Sequence, residues 1–185
     1  MNVTVFGGAN PLPGTPAYAE AELLGRLLAQ SGHTVLTGGY IGTMEAASKG
    51  AAEAGGHVIG VTCAEIETWR GVKANPWVKE EWRCQTLDER LLRLLDGCQA
   101  AIALPGGVGT LVEIALLWNR MLIQAAPTRP LILVGAGWQK TIQTFLETHD
   151  GYVTEAHQRL VQFTANVEEA INLLNGKKPD HKGTK

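Results

Sequence analysis

The chain has 185 residues, of which 45% are hydrophobic and 18% charged, and its net charge is −2. This length and composition favour one globular domain with a sizeable core, and the near-neutral charge argues against a nucleic-acid-binding surface. No apolar run approaches the ~20 residues of a membrane helix, and the first residues lack the basic segment of a signal peptide. We therefore expect a cytoplasmic protein that contacts neither nucleic acid nor membrane.

Short apolar runs rich in β-branched residues alternate with longer runs of helical spacing along the chain. The strands that this pattern predicts lie at 3–6, 33–37, 57–62, 100–104 and 131–134. The predicted helices lie at 17–30, 43–54, 87–95, 110–123, 138–149 and 167–174. The signal is weakest over 63–85, where one strand is expected at 77–83, and a short edge strand is expected at 160–163.

Apolar strands that alternate with crossover helices are typical of a parallel sheet that is covered on both faces. We therefore predict an α/β protein whose residues 1–176 form a single Rossmann-like domain, a doubly wound parallel sheet with helices on both faces. Residues 177–185 are expected to form a polar tail. In such sheets, ligands bind beyond the carboxyl ends of the strands.

Glycine-rich turns follow three of the predicted strands. They contain Gly7 and Gly8, then Gly38, Gly39 and Gly42, and finally Gly106, Gly107 and Gly109. Each turn alone is explained by tight geometry, but three turns at one sheet edge predict a cradle for a phosphate or a nucleotide. Neither the dinucleotide signature G-x-G-x-x-G after the first strand nor a P-loop is present.

The most informative segment is 105–113, which reads Pro-Gly-Gly-Val-Gly-Thr-Leu-Val-Glu directly after the predicted strand 100–104. A strand, a glycine-rich turn and a helix N-terminus together form an anion site, because free N–H groups and the helix dipole point at it. Thr110 and Glu113 also fit a T-x-x-E capping box. The local pattern therefore leaves both capping and catalysis open for Glu113.

Arg90 lies at the edge of the buried stripe of the predicted helix 87–95. Its guanidinium is suited to a bidentate grip on a phosphate, although a boundary residue that extends along the helix surface is the alternative. Among the tryptophans of the 63–85 region, packing is the main expectation, and a base-stacking role is considered for one of Trp69, Trp77 and Trp82.

No metal and no cofactor are predicted. The histidines lack metal-ligand spacing, and Cys63, Cys84 and Cys98 lack C-x-x-C spacing, so we expect structural thiols. A pyridoxal-phosphate decarboxylase is disfavoured because Lys49 and Lys79 are expected at the surface.

The segment 105–113 matches the signature P-G-G-x-G-T-x-x-E of the "lonely guy" proteins. Those proteins are cytokinin riboside 5′-monophosphate phosphoribohydrolases, often mislabelled as lysine decarboxylases. The chain resembles this family over residues 3–150, including Gly38 to Met44 and an arginine, Arg90, on the helix before the signature.

The resemblance implies hydrolysis of the N-glycosidic bond of a purine nucleoside 5′-monophosphate, with release of the base and ribose 5-phosphate and without a metal or cofactor. It implies that Glu113 and Arg90 are the catalytic pair. The phosphate-binding residues that it implies are Gly106, Gly107, Gly109 and Thr110, with Gly8, Gly39 and Gly42 predicted on the same cleft floor. The family forms dimers or larger assemblies, and we expect helix 111–123, with Trp118 and Met121, to provide a homodimer face.

Leu91 stands where the family usually has a lysine, and the Trp-rich stretch 69–82 also differs. In these features the chain is similar to a bacterial branch of the superfamily that includes molybdenum-cofactor carriers. The alternative function is therefore a protein that binds a nucleotide or a molybdenum cofactor without cleaving it. Glu113 and Arg90 together favour the enzyme, because a carrier does not require both.

Overall fold

The structure is a computed structural model that describes residues 1–176; the predicted polar tail 177–185 lies outside the described residues. The strands run over Asn2–Phe6 (β1), Thr34–Thr37 (β2), Val58–Cys63 (β3), Glu80–Cys84 (β4), Ala100–Ala103 (β5), Leu131–Val134 (β6) and Gln162–Thr164 (β7). The helices run over Pro16–Gln30 (α1), Thr43–Glu53 (α2), Ala64–Arg70 (α3), Leu87–Asp96 (α4), Val108–Leu122 (α5), Ala136–Thr148 (α6), Glu155–Gln158 (α7) and Val167–Leu174 (α8).

The strands form one parallel sheet in the order β4-β3-β2-β1-β5-β6-β7. The chain builds outward from β1 to β4, then returns so that β5 pairs with the other side of β1. The prediction of a doubly wound α/β fold is therefore confirmed. The order reverses between β1 and β5, and ligands of such sheets bind at this switch point, outside the carboxyl ends of the strands.

Helices cover both faces of the sheet. On one face, α1, α2 and α8 bury side chains such as Leu24, Ala47 and Ile171 against the strands. On the other face, α5 and α6 bury Ile114 and Trp138, while α4 packs over β2 and β3 in a smaller cluster. Burial of both faces explains why β1, β2, β3, β5 and β6 read as continuous apolar runs.

Two predictions about α5 are wrong: its first residue and its capping box. Helix α5 begins at Val108, and its N-cap is Gly107, which has no side chain to cap the helix. The predicted box of Thr110 and Glu113 is therefore absent, because both residues lie inside the helix. The local pattern could not distinguish it from the true box of Thr86 and Glu89 at the start of α4, where both reciprocal hydrogen bonds are present.

The weak region 63–85 contains α3, which the sequence pattern did not reveal because a seven-residue helix spans only two turns. The strand expected at 77–83 begins only at Glu80, since a turn joins Val78 to Asn75 through a backbone hydrogen bond of 3.2 Å. Over residues 1–176, no helix combines the length and the apolar character that a bilayer span requires.

Candidate active site

A cavity of about 480 Å³ opens at the switch point between β1 and β5. Residues from the three glycine-rich loops, α3, α4 and α5 surround it. The lining consists of Gly7, Gly8, Ala9, Asn10, Tyr40, Met44, Ile66, Trp69, Arg70, Leu87, Arg90, Gly107, Val108, Gly109, Thr110 and Glu113. All three predicted loops therefore reach one cleft, and Glu113 and Arg90 lie in the same one.

Backbone hydrogen bonds fix the loops to one another. The Gly8 N–H donates to the carbonyl of Pro105 at 3.1 Å, which joins the loop after β1 to the loop after β5. The Gly8 carbonyl accepts from the N–H of Thr43 at 2.9 Å, which joins the same loop to the first residue of α2. Gly8 thus connects the three loops, and the floor of the cavity is formed before any ligand arrives.

The N-terminus of α5 presents unpaired backbone amides at the cavity. Leu111 is the first residue whose N–H donates within the helix, to the Gly107 carbonyl at 3.0 Å. The N–H groups of Val108, Gly109 and Thr110 precede it and have no intrahelical acceptor, as in the first turn of any α-helix. A Cβ at Gly107 or Gly109 would meet open space. An anion can therefore approach these amides closely, and the helix dipole favours its charge.

The remaining predicted phosphate-binding glycines do not line the cavity. Gly106 packs against the side chain of Thr110 so closely that a Cβ would overlap it. Gly39 (φ 77°) and Gly42 (φ 72°) adopt left-handed conformations, and a Cβ at Gly42 would strike the backbone of Ala9. These three glycines shape the loops, whereas Gly8, Gly107 and Gly109 face the ligand space.

Arg90 is buried, with 7% of its surface exposed, so it does not extend along the helix surface. Its Nε donates to the Val61 carbonyl at 2.7 Å, and its Nη2 donates to the Gly38 carbonyl at 3.0 Å. The Tyr40 ring lies beneath the guanidinium, with 5.5 Å from Cζ to the ring centroid. The backbone of two neighbouring strands and loops therefore holds this positive charge at the cavity wall.

Gly38 was named in the second glycine-rich turn, but the sequence analysis gave it no role at the site; the structure shows that it makes room for Arg90. A Cβ at this position would overlap Nη2 of Arg90 and come within 2.6 Å of the sulfur of Met44. The glycine is required so that the guanidinium can reach the backbone. The Gly38–Gly39 pair is visible in the sequence. The contact that requires glycine at position 38 is with Arg90, which lies on α4, 52 positions further along the chain.

Glu113 projects from the second turn of α5 into the cavity. Burial raises the pKa of its carboxyl group from 4.5 to about 7, while the positive charge of Arg90 acts in the opposite direction. A carboxyl group with a pKa near neutrality is suited to proton transfer and to charge stabilisation at neutral pH. Glu113 and Arg90 are therefore electrostatically coupled across one cavity.

Helix α3 adds a wall that the sequence analysis did not predict. Ile66, Trp69 and Arg70 line the cavity from this side. Trp69 is 73% exposed, and Arg70 lies over its ring with Cζ 4.8 Å from the centroid.

Over residues 1–176, no group of three or more potential ligands is arranged to hold a metal ion. Cys63, Cys84 and Cys98 are free thiols. Lys49 binds Glu22 at 3.2 Å and Lys79 donates to the Gly56 carbonyl at 2.9 Å. In the described part of the chain, no lysine lines the cavity.

A second cavity of about 430 Å³ lies between α5 and α6 and is lined almost entirely by apolar side chains. Leu111 and Phe145 are its exposed large hydrophobic members, at 39% and 45%. Trp118 and Met121, the residues expected on a dimer face, are buried at 8% and 3%, because they pack into the core beneath this groove.

The fold and the site define a doubly wound α/β protein with a cavity at the sheet switch point that combines free helix amides, a buried arginine and a carboxyl group. The family described as "Possible lysine decarboxylase" matches residues 44–174. The chain belongs to this lysine-decarboxylase-like, or lonely guy, family.

The curated relatives have one activity in their names. A cytokinin riboside 5′-monophosphate phosphoribohydrolase of Rhodococcoides fascians is 30% identical over 175 residues, which cover 92% of this chain and 87% of that protein. An enzyme of the same name from Arabidopsis thaliana is 27% identical over 176 residues, which cover 89% of this chain and 72% of that protein.

Among solved structures, the fold is similar to proteins with a different described role. The molybdenum cofactor binding protein of Rippkaea orientalis has a TM-score of 0.74 and 25% identity, with 95% of each chain covered. The molybdenum cofactor carrier protein of Chlamydomonas reinhardtii has a TM-score of 0.70 and 26% identity, with coverage of 95% of this chain and 96% of that one.

Proposed function

We propose that this protein hydrolyses the N-glycosidic bond of a purine nucleoside 5′-monophosphate and releases the free base and ribose 5-phosphate. The observation that carries the proposal is the meeting of three features in one cavity: the free amides at the start of α5, the buried Arg90 and the carboxyl group of Glu113. The names of the curated relatives support the same reaction class.

In this proposal, the phosphate binds at the N-terminus of α5. The amides of Val108, Gly109 and Thr110 donate to it, and the helix dipole stabilises its charge. Arg90 uses Nε and Nη2 on backbone carbonyls, and over residues 1–176 its Nη1 has no protein acceptor. Nη1 is therefore available to the ligand, while the other two bonds fix the position of the guanidinium.

Glu113 acts on the ribose. Cleavage of the bond between C1′ and the base nitrogen develops positive charge at C1′, and a carboxylate close to that carbon stabilises it. The bond electrons leave with the base, and the oxygen of a water molecule forms the new bond to C1′. Glu113 in its ionised form orients this water and accepts its proton. The departing base nitrogen then takes up this proton, so that Glu113 is ionised again and the free base and ribose 5-phosphate are the products.

The decisive experiment replaces Glu113 with glutamine and measures release of ribose 5-phosphate from AMP. The side chain keeps its size and loses its charge, so we expect release to fall by about 100-fold or more while AMP binding persists. Glu155→Gln is the matched control, since Glu155 lies exposed on α7 and pairs only with Arg159. Unchanged release in Glu113→Gln would contradict the catalytic role.

The alternative function is a carrier that binds a nucleotide or a molybdenum cofactor without cleaving it, and the similarity to the two cofactor-binding structures favours it. The same amides and the same arginine would hold the phosphate of either ligand. AMP binding without any release of ribose 5-phosphate by the wild-type protein, with AMP and other purine nucleotides, would support the carrier.

We further propose that two copies of this chain associate through the α5–α6 face, in the cytoplasm. Two large apolar side chains on this face, Leu111 and Phe145, are exposed by 39% and 45%, and exposed apolar patches mark interfaces. The free thiols are consistent with a reducing compartment. Phe145→Asp should shift the mass measured by light scattering from dimer to monomer. Tyr152→Asp, at an exposed residue outside the groove, should not.

A further inference from the structure

The cavity has two chemically different walls. Backbone amides, Arg90 and Glu113 form the polar side, which suits the phosphate and the ribose of a nucleotide. Ile66, Trp69 and Leu87, from α3 and the start of α4, add apolar surface to the lining, next to Arg70. A nucleoside monophosphate has the same division, because its base is a flat aromatic ring and its other end is an anion.

Trp69 is the most exposed apolar side chain of this part of the cavity. Its indole is 73% exposed, whereas a tryptophan is usually largely buried. Its recorded contact is with Arg70, whose Cζ lies 4.8 Å from the ring centroid, over one face. A cation on one face of the ring leaves the other face for a second flat group.

The helix that carries Trp69 is nevertheless held in place. The Glu65 carboxylate accepts from the backbone N–H of Leu87 at 2.7 Å, and Glu67 pairs with Arg83 at 2.5 Å. Gly71 ends the helix in a left-handed conformation, with φ of 65°. The backbone of α3 is therefore fixed while the indole remains available, which is the arrangement of a preformed binding surface.

The other tryptophans of this region are placed differently. Trp82 lines a separate groove, where Arg93 lies 4.7 Å from its ring centroid and Nε1 donates to Glu80 at 2.7 Å. Trp77 lies half-buried in the loop that leads into β4, and it does not line the cavity. Of the three tryptophans considered from the sequence, Trp69 is thus the one that faces the ligand space.

We propose that Trp69 stacks on the base of the bound nucleotide and makes this cavity selective for ligands with a flat aromatic base. The inference rests on the proposed function and specifies how its substrate is recognised. Arg70 supports the indole from its other face. Stacking on Trp69 places the base on the α3 side of the cavity, so that the glycosidic bond lies between the base and the polar wall.

The test compares two ligands that differ by the base. AMP and ribose 5-phosphate are titrated by calorimetry into chains that all carry Glu113→Gln, so that AMP is not consumed. We expect Trp69→Ala to weaken AMP binding by roughly ten-fold or more and to leave ribose 5-phosphate binding unchanged. Trp69→Phe should retain most of the AMP affinity, because a phenyl ring still stacks. Tyr152→Ala, at an aromatic residue that is 88% exposed and lies outside this cavity, should change neither.

Two results would overturn the inference while leaving the proposed function intact: unchanged AMP affinity in Trp69→Ala, or equal losses of AMP and ribose 5-phosphate. Different results would contradict the proposed function. If the wild-type protein binds AMP but releases ribose 5-phosphate neither from AMP nor from other purine nucleotides, the proposed hydrolysis is wrong, and the binding contrast still decides the role of Trp69. If the wild-type protein binds neither ligand, both proposals are wrong.

Discussion

Arg90 occupies the space that a side chain at Gly38 would need. Its Nη2 donates to the Gly38 carbonyl at 3.0 Å, and a Cβ on Gly38 would overlap that same nitrogen. The sulfur of Met44 closes the other side, 3.7 Å from Nη2. The guanidinium therefore occupies a narrow space between Gly38 and Met44, and this space exists because residue 38 has no side chain.

We expect Gly38→Ala to displace Arg90 and so reduce release of ribose 5-phosphate by about ten-fold or more, because misplacement by ~1 Å is already costly in catalysis. The added methyl should also lower the free energy of unfolding by about 1–3 kcal/mol, as overpacking does. Activity and urea denaturation measure the two effects.

Gly137→Ala is the matched control. Gly137 is exposed in the first turn of α6, and a Cβ there meets nothing within 4 Å. This change should leave activity unchanged and stabilise the protein by about 0.4–1 kcal/mol. Wild-type activity in Gly38→Ala would show that the position of Arg90 is not critical.

Replacement of Arg90 by lysine keeps the charge but loses the planar group that bonds two carbonyls at once. A lysine cannot donate to both Val61 and Gly38 in the geometry of Nε and Nη2. We expect weaker binding of AMP and of ribose 5-phosphate, and a lower free energy of unfolding, by about 1–3 kcal/mol, because a buried carbonyl is left without a donor.

Arg93→Lys is the control for this prediction, since Arg93 is on the same helix but exposed and stacks on Trp82 outside the cavity. It should leave ligand binding unchanged. Equal binding by the Arg90→Lys and wild-type proteins would mean that charge alone is sufficient at this position.

Sequence periodicity was sufficient for the sheet and for most of its helices, because burial on both faces leaves a strong apolar pattern. The glycine-rich turns and the signature over 105–113, not periodicity, pointed to Gly107, Gly109, Thr110 and Glu113, which line the cavity around the start of α5. Sequence analysis could not place Gly38 under Arg90, since that contact joins residues 52 positions apart. Nor could it reveal α3 and the position of Trp69, because so short a helix lacks a periodic signature.

The boundary of α5 shows a different limit of sequence analysis. Thr86-x-x-Glu89 and Thr110-x-x-Glu113 have the same capping pattern, yet only the first is a box. The difference arises because the N-cap of α5 is Gly107, three residues before Thr110. The loop before Gly107 is held by the hydrogen bond between Gly8 and Pro105. A local pattern does not record that tertiary constraint.

The true capping box gives a stability prediction. Thr86→Ala removes the acceptor of the Glu89 N–H, at 3.2 Å, and should lower the free energy of unfolding by about 1 kcal/mol. Thr144→Ala, at an exposed threonine inside α6, should not lower it, because alanine has the higher helix propensity. Chemical denaturation of the two variants measures the contrast, and equal effects would contradict the assignment of the box.

Glu113 predicts how stability depends on pH. Its pKa is about 7 in the folded protein and 4.5 is its ordinary value, so between these values the folded state binds more protons than the unfolded state. Stability contributed by this group therefore falls as the pH rises from 4.5 to 7, and the loss is complete above pH 7. The full shift corresponds to about 3 kcal/mol.

Glu113→Gln mimics the protonated form and removes this pH dependence. We expect the variant and the wild type to have similar free energies of unfolding at pH 4.5. Above pH 7 the variant should be the more stable, by up to about 3 kcal/mol. Urea denaturation at both pH values measures the difference, with Glu155→Gln as the exposed control. A difference that does not change with pH would show that folding does not shift the pKa of Glu113.

The same pKa predicts the pH profile of the proposed reaction. Because the ionised carboxylate is the form that orients water and stabilises charge at C1′, kcat/KM for AMP should rise with pH and level off above about 7. The phosphate of AMP titrates near ~6, and its pKa is measured on AMP alone, so the two steps can be separated. If kcat/KM instead falls as the pH rises through 7, Glu113 acts in its protonated form, as an acid towards the departing base, and the role of water activation passes to another group.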